Sequence, residues 1–111
     1  MDCVFCKIAS GEIKGTVVHK TERLVVIKDI NPQAPVHLLV IPKKHYSTLL
    51  DCADKELLGE MLLVAAKAAK EAGVDESGFR AVVNTNEDGG QTVFHLHMHI
   101  LGKRPLNGKM G

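Results

Sequence analysis

The most informative segment of this chain is Val93-Phe94-His95-Leu96-His97-Met98-His99-Ile100-Leu101, in which histidine alternates with apolar residues. Successive side chains of a β-strand point to opposite faces of a sheet, so the pattern predicts a strand with three imidazoles on one face. The Cα atoms of successive histidines would then lie about 6.6 Å apart. A solvated strand face has no particular need of histidine. The pattern therefore favours a metal site or a catalytic histidine over a plain polar surface.

The rest of the chain predicts an α+β fold. Runs of apolar and β-branched residues predict four further strands, at residues 16–20, 23–28, 36–41 and 79–84. Pro42 should end the third of these, because proline cannot donate a ladder hydrogen bond. Apolar residues three and four apart predict a long helix over residues 54–72. We therefore expect a five-stranded antiparallel sheet with one long helix packed on it.

Length, charge and cysteine content narrow the class of protein. The 111 residues suit a single domain, 1–111, and the net charge of +1 lacks the basic excess of a nucleic-acid-binding protein. No apolar run approaches the roughly 20 residues that span a bilayer, and the N-terminus does not resemble a signal peptide. Three cysteines are too few, and odd in number, for a disulfide framework. We expect a cytoplasmic protein that binds neither nucleic acid nor membrane.

A glycine-containing loop directly precedes the histidine segment. Gly89 and Gly90 are followed by Gln91 and Thr92, an amide and a hydroxyl. Glycine lets backbone N–H groups approach an anion closely, and the two polar side chains can donate hydrogen bonds to phosphate oxygens. Two glycines alone are more typical of an ordinary turn, but beside three histidines they indicate a phosphate-binding loop.

Two segments of the sequence resemble the histidine triad family. Residues 91–99 resemble its His-x-His-x-His signature, and residues 29–45, DINPQAPVHLLVIPKKH, resemble the other hallmark segment of its nucleotide-binding branch. The resemblance implies a short N-terminal helix beside the sheet and a homodimer in which the two sheets join. It also implies the activity of a purine nucleoside phosphoramidase, which hydrolyses the P–N bond of purine nucleoside 5′-phosphoramidates.

The resemblance implies roles for the catalytic residues. His97 would be the nucleophile that attacks the α-phosphorus and forms a nucleotidyl-histidine intermediate, which water then cleaves. His99 would donate a hydrogen bond to the phosphate, and His37 and His95 would belong to the surrounding polar network. A neutral imidazole is a competent nucleophile near pH 7, provided that an acceptor holds the proton on its other nitrogen. Histidine at position 99 favours the hydrolases of the family over its nucleotidyltransferases, which have glutamine there.

The resemblance also implies the nucleotide contacts. Asp29 would accept hydrogen bonds from the two ribose hydroxyls, and Ile30 would pack against the base. The phosphate or leaving group would contact His97 and His99 together with Asn84, Gly90, Gln91 and Thr92. The base pocket would include the apolar residues Phe5, Ile8 and Val26, which offer little discrimination between adenine and guanine. The expected ligands are therefore AMP or GMP and their phosphoramidates.

Cys3 and Cys6 form a C-x-x-C pair, which alone supplies half of a four-ligand zinc site. The resemblance to a zinc-binding subset of the family implies four ligands, namely Cys3, Cys6, His45 and His95. Two reduced thiols without metal are the alternative. We do not expect a catalytic zinc ion, because four protein ligands leave no position open for water.

Three other functions are compatible with these motifs. They are a dinucleoside polyphosphate hydrolase, a nucleotide-binding interaction module with incidental catalysis, and a zinc scaffold that binds no nucleotide. Residues 105–111 contain no tryptophan, whereas some relatives place one near the partner's active site. The sequence therefore does not indicate which amine is the leaving group.

Overall fold

The computed structural model describes residues 3–110, which form one antiparallel sheet and two helices. The five strands are β1 (Val17–Lys20), β2 (Leu24–Lys28), β3 (Val36–Pro42), β4 (Phe79–Val82) and β5 (Met98–Gly102). They lie in the order β1-β2-β3-β5-β4. The helices are α1 (Val4–Ser10) and the long α2 (Lys55–Glu71), and a 3₁₀ turn at Leu49–Asp51 precedes α2. The predicted α+β fold, with five strands, one long helix and a short N-terminal helix, is confirmed.

Both faces of the sheet are buried, one beneath each helix. Leu24 and Val26 of β2 belong to the apolar cluster that α2 completes. Val25 and Ile27 belong to a second cluster, which α1 completes on the opposite face. His99 of β5 pairs with Leu39, a member of this second cluster. Directly paired residues share a face, so the histidines lie on the α1 side of the sheet.

The strand β5 is shorter than the predicted strand 93–101. Its ladder with β3 ends at the pair Val40 and Met98. Two residues further along β3 stands Pro42, which has no N–H to donate. The N–H of Leu96 donates instead to the carbonyl of Tyr46, at 2.6 Å. The missing donor therefore explains why the ladder stops before it reaches the start of the histidine segment.

Several predicted boundaries need correction. Of the three histidines only His99 lies in β5, while His95 and His97 lie in the irregular segment before it. The prediction that one regular strand carries all three is therefore wrong. The predicted strand 79–84 ends at Val82, and Pro42 is the last residue of β3 rather than the first beyond it.

The long helix α2 has a distinct cap at each end. Asp54 precedes the helix and accepts a hydrogen bond from the N–H of Leu57 at 3.0 Å. Gly73 lies just beyond the end with a φ of 76°, a conformation that favours glycine. Neither α2 nor any other helix within residues 3–110 is long and apolar enough to cross a bilayer.

Candidate active site

His97 is held against its own main chain by one ring nitrogen. Its residue surface is 7% exposed, and the ring of Phe5 meets it edge to face with the centroids 4.9 Å apart. Nδ1 lies 2.7 Å from the carbonyl oxygen of His95. A carbonyl only accepts, so Nδ1 carries the proton and Nε2 holds the lone pair.

The other ring nitrogen of His97 is open to a ligand. No residue between 3 and 110 hydrogen-bonds to Nε2 of His97, and no side-chain nitrogen in that range is both sealed from solvent and unpaired. Nε2 therefore reaches the surface. A lone pair that is fixed in direction and accessible is what nucleophilic catalysis requires.

The side chain of His95 contacts the main chain at Pro42 with one ring nitrogen and a cluster of cysteine and histidine side chains with the other. The residue is fully buried, and its Nε2–H donates to the carbonyl of Pro42 at 2.7 Å. Its Nδ1 therefore carries a lone pair. This atom lies 3.2 Å from Sγ of Cys3 and 3.4 Å from Sγ of Cys6, and it lies 3.2 Å from Nδ1 of His45.

The four predicted metal ligands are thus brought together. The donor atoms of Cys3, Cys6, His45 and His95 all lie within 4.8 Å of one another. Two sulfur and two nitrogen donors in a closed cluster suit a structural zinc ion. The bond between His95 and Pro42 also leaves the required lone pair facing the cluster. These residues could therefore hold a metal ion.

A second group of polar side chains adjoins His97 on the same face. Nε2 of His37, on β3, lies 2.9 Å from Nδ1 of His99 and 3.3 Å from Oδ2 of Asp29. The His97 and His99 rings have their centroids 4.9 Å apart. The other oxygen of Asp29, Oδ1, accepts a hydrogen bond from the N–H of Asn31 at 2.8 Å. This bond fixes the carboxylate within the loop that joins β2 to β3.

Burial favours the neutral form of these histidines. The pKa of His99 falls to about 4 because of burial, and the neighbouring His97 and His37 contribute to the same direction. Burial also lowers the pKa of His97, although its bond to the His95 carbonyl and the charge of Asp29 oppose this. The pKa of His37 and that of His95 are lowered, again chiefly by burial. The lone pair on His97 is therefore available at neutral pH.

Comparison with known proteins shows the family to which a chain with this fold and this arrangement of histidines belongs. The family model for the HIT domain matches residues 10–106. The chain belongs to the HIT family. The purine nucleoside phosphoramidase of Escherichia coli K12 is 43% identical to this HIT chain over 107 residues, which cover 95% of this chain and 90% of that protein.

Solved structures of HIT proteins agree with this assignment. The HIT family hydrolase from Legionella pneumophila matches with a TM-score of 0.96 and 48% identity, covering 99% of this chain and 100% of that one. A Zn-bound histidine triad family protein from Mycobacterium smegmatis matches with a TM-score of 0.82 and 36% identity, covering 99% of this chain and 79% of that one. This HIT chain is an enzyme of the hydrolase class.

The glycine loop of the HIT chain is an ordinary turn. The N–H of Gly90 donates to the carbonyl of Glu87 at 2.9 Å. The side chain of Gln91 is buried; its oxygen accepts from the N–H of Asn86, and its amide nitrogen donates to two main-chain carbonyls. The Gly90 N–H and the Gln91 side chain are therefore paired within the loop, and their contact with the phosphate or leaving group stays a prediction.

Three other residues that are predicted to contact the nucleotide have exposed or half-buried side chains. Ile30 is 98% exposed in the loop beside Asp29, and Thr92 is exposed beyond the turn. Asn84 is half-buried, two residues past Val82 of β4, which pairs with His99.

The predicted base-pocket residues divide between the two faces of the sheet. Phe5 is buried in the α1 cluster and contacts His97, and Ile8 packs against the same cluster. Val26 is fully buried in the α2 cluster, on the opposite face. The prediction for Val26 is therefore wrong, since a strand residue cannot reach across its own sheet.

A cavity of about 530 Å³ opens beside Asp29 and His37. Its walls also include Pro32 and Pro35 of the β2–β3 loop, together with Leu38 of β3 and Ala68 of α2. His97 is not among the residues that line it. The cavity is therefore separate from the candidate nucleophile.

Sequence reasoning missed the main-chain groups that fix the histidine rings. The carbonyl of Pro42 holds His95, and the N–H of Gln33 donates to Nδ1 of His37 at 3.0 Å. Arg104, beyond β5, donates to the carbonyl of Gln33 at 3.0 Å. Because a main-chain donor or acceptor is present at every position, no residue pattern could have indicated these contacts.

Proposed function

We propose that this HIT chain hydrolyses the P–N bond of purine nucleoside 5′-phosphoramidates, the adenosine 5′-monophosphoramidate type among them, through a nucleotidyl intermediate on His97. The observation that carries the proposal is the fixed tautomer of His97, whose Nδ1–H is held by the His95 carbonyl while Nε2 is unpaired and accessible. The name of the 43% identical Escherichia coli protein supports the same substrate class.

The reaction proceeds in two displacements at phosphorus. Nε2 of His97 attacks the α-phosphorus, and the P–N bond breaks as the departing amine takes up a proton from solvent. The carbonyl of His95 stabilises the positive charge that the substituted imidazole then carries, because it accepts from Nδ1–H. Water attacks the phosphorus next, the bond between Nε2 and phosphorus breaks, and the water gives up a proton to solvent, which releases the nucleoside monophosphate and restores neutral His97. Two easier steps thus replace one difficult step.

The neighbouring side chains would bind the nucleotide. His99 would donate to the phosphate, and Asp29 would accept from the ribose hydroxyls through lone pairs that Asn31 does not occupy. Ile30, Asn84 and Thr92 are proposed to complete the contacts to the base and the phosphate. Phe5 and Ile8 would contribute to the apolar surroundings of the base. The proposed base is adenine or guanine, since the side chains proposed to surround it, Phe5, Ile8 and Ile30, are apolar and offer little discrimination between the two.

The variant His97→Ala tests the nucleophile. We expect turnover of adenosine 5′-phosphoramidate to fall by at least about 10³-fold, the order seen when a covalent nucleophile is removed, while AMP binding persists. His19→Ala is the matched control, because His19 lies on β1 outside the site. Brief incubation of the parent with substrate should give a nucleotidyl adduct on the peptide that contains His97. Equal turnover by parent and His97→Ala would contradict the proposal.

The same assay separates the alternative activities. The parent should show a higher kcat/KM for the phosphoramidate than for a dinucleoside polyphosphate; the reverse order would indicate a dinucleoside polyphosphate hydrolase. An interaction module with incidental catalysis would retain partner capture in His97→Ala. A zinc scaffold would show no thermal shift with AMP, whereas a specific ligand at 100 times its Kd adds about 2.7 kcal/mol.

We propose a structural zinc ion at Cys3, Cys6, His45 and His95. The convergence of four donor atoms and the tautomer of His95 support it. A zinc ion held there would anchor the start of α1 to the active-site segment, and with four protein ligands it would supply no catalytic water.

Metal analysis tests the zinc site. The parent should contain about one equivalent of zinc per chain, and Cys6→Ser should lose most of it with a fall in melting temperature. Cys52→Ala is the matched control, because Cys52 is packed in the α2 cluster, away from these ligands. Less than about 0.2 equivalents in the parent would contradict the proposal.

We also propose a homodimer in which the two sheets join at β4. This strand is an edge of the sheet, and its Phe79 is exposed, as are Leu62 and Leu63 of α2. An unpaired strand edge and exposed apolar side chains are typical of a self-association surface. Light scattering should give twice the chain mass for the parent, and Leu63→Glu should shift it toward the monomer. A parent that remains monomeric would contradict the proposal.

The state of the cysteines supports a cytoplasmic location, which we propose here. Cys3, Cys6 and Cys52 form no disulfide with one another. Free thiols persist in reducing compartments, whereas oxidising ones favour disulfides.

A further inference from the structure

The main chain of Gln33 connects the active site to the segment that follows β5. Its N–H donates to Nδ1 of His37 at 3.0 Å. Its carbonyl accepts from the guanidinium of Arg104 at 3.0 Å, across 71 positions of sequence. The side chain of Gln33 donates separately to the carbonyl of Asn31 at 3.1 Å. Gln33 is therefore held from two sides while its N–H points at the active site.

The contact with Gln33 decides which nitrogen of His37 carries the proton. A backbone N–H can only donate, so Nδ1 of His37 must accept and cannot itself be protonated in the neutral ring. The proton of His37 must then be on Nε2. Oδ2 of Asp29, which can only accept when ionised, lies 3.3 Å from that nitrogen and agrees with this assignment.

The protonation of His37 in turn decides that of His99. Nε2–H of His37 points to Nδ1 of His99 at 2.9 Å. Nδ1 of His99 therefore accepts, and the neutral ring of His99 carries its proton on Nε2. Both rings are neutral near pH 7, since burial lowers the pKa of His37 and contributes most to lowering that of His99 to about 4. No residue between 3 and 110 accepts a hydrogen bond from Nε2–H of His99, so it remains available to a ligand.

We propose that the Gln33 main chain, held by Arg104, is a positioning element that fixes His37 and His99 as Nε2–H tautomers and so makes His99 a donor to phosphate. The assignment of phosphate as the acceptor rests on the proposed function; the tautomers do not. In the opposite arrangement, Nδ1–H of His99 would donate to His37. Nε2 of His99 would then present a lone pair to an anionic phosphate, which would repel it.

Gln33 matters most when nucleotide is bound. Asp29 also favours Nε2–H on His37, but its carboxylate is the group that the proposed function assigns to the ribose hydroxyls. When the ribose engages Asp29, the N–H of Gln33 remains as the contact that selects the tautomer. The two tautomers of a neutral imidazole are close in free energy, so one hydrogen bond is enough to choose between them.

Arginine is well suited to hold Gln33, because the guanidinium is planar and rigid and can donate from two nitrogens at once. One terminal nitrogen donates to the Gln33 carbonyl, and the other donates to the carbonyl of Pro105 at 3.0 Å. A lysine ammonium is a compact charge on a flexible stem and does not reproduce a planar two-pronged contact. Arg104 thus holds the β2–β3 loop against the chain that leaves β5, the strand of His99.

Two substitutions at position 33 test the role of the N–H. Gln33→Pro removes the backbone donor, whereas Gln33→Ala keeps it and removes only the side-chain bond to Asn31. The ring nitrogens of His37 and His99 are read at pH 7 by ¹⁵N chemical shifts in nucleotide-free protein, the parent and each variant being measured with Asp29→Ala, which removes the other contact that favours Nε2–H on His37. We expect Nε2–H for both rings in the parent and in Gln33→Ala, and a mixture of tautomers in Gln33→Pro. Gln33→Pro should also bind AMP about tenfold more weakly than Gln33→Ala, as for loss of one charge-assisted hydrogen bond.

Arg104 provides a second test that does not alter the loop sequence. Arg104→Ala should give mixed tautomers at His37 and His99, and Arg104→Lys should restore them only in part. Nδ1–H on either histidine of the parent, or parent tautomers retained in both Gln33→Pro and Arg104→Ala, would overturn the proposal. Parent tautomers as expected, without turnover of the phosphoramidate, would contradict the proposed function and leave the role of Gln33 in place.

Discussion

The depressed pKa of His99 predicts a specific loss of stability in acid. The ordinary pKa of histidine is 6.5, and that of His99 is about 4. As the pH falls below 6.5, the unfolded chain takes up a proton at this position that the folded chain binds only near pH 4. The contribution of His99 to stability is therefore complete above pH 6.5 and is lost between pH 6.5 and pH 4.

The size of this loss follows from the separation of the two pKa values. A single group contributes about 1.4 kcal/mol for each pH unit between them, which gives an upper bound of about 3.5 kcal/mol here. His99 is not fully buried, and solvent screening reduces the figure, so we expect about 1–2 kcal/mol. His99→Gln cannot titrate and should lack this part of the pH dependence.

Urea unfolding measures the difference directly. The free energy of unfolding of the parent and of His99→Gln is determined by circular dichroism at pH 7.5 and at pH 4.5. A fixed protein concentration is needed, because any association of the chain adds to its stability. The difference at pH 7.5 reports lost packing and serves as the internal control. The cluster of Cys3, Cys6, His45 and His95 contributes equally to both proteins, whereas the measured difference includes the electrostatic interaction of His99 with His37 and His97. If the two proteins lose the same stability between the two pH values, the reasoning about His99 is wrong.

Three further substitutions test the fold by the same unfolding measurement. Gly89→Ala should destabilise the chain by about 1–3 kcal/mol, because its Cβ would meet the Thr85 carbonyl oxygen at 2.4 Å, and an unchanged midpoint would contradict that close approach. Ile100→Ala should cost about 2–5 kcal/mol, since Ile100 is fully buried in the α2 cluster, and a loss below about 1 kcal/mol would argue against this packing. Asp54→Ala should lower the free energy of unfolding by about 1 kcal/mol, because it removes the hydrogen bond that caps the Leu57 N–H. Asp54→Asn should retain most of that stability, because asparagine can also cap a helix.

The sequence predicted the elements of the sheet well but could not tell its two faces apart. Alternation of apolar and polar residues reports the buried face of a strand only when the other face meets solvent. In β2, residues 24–27 are all buried, because α2 covers one face and α1 the other. The pattern therefore contains no information on which side a residue lies. For this reason the sequence predicts Val26 in the same base pocket as Phe5, although Val26 packs beneath the opposite helix.

The glycine loop illustrates a different limit of sequence reasoning. A glycine pair with a following amide is compatible with both a tight turn and an anion-binding loop, since both need the same local residue types. What separates them is whether the polar groups are already paired. Gln91 satisfies its amide within the protein, and one of its acceptors belongs to Ser47, which is remote in sequence. Such a partner becomes known only when the chain is folded.

His95 and His97 are alike in sequence, yet main-chain carbonyls give them different tautomers. The carbonyl of Pro42 places the proton of His95 on Nε2, and the carbonyl of His95 places that of His97 on Nδ1. The Nδ1 lone pair of His95 thereby faces the cluster of Cys3, Cys6 and His45, and the Nε2 lone pair of His97 is left open to a ligand. Residue spacing could place the rings near one another, but it could not assign these protons. The position of the proton on these rings therefore depends on how β3 and the segment before β5 meet, rather than on the triad alone.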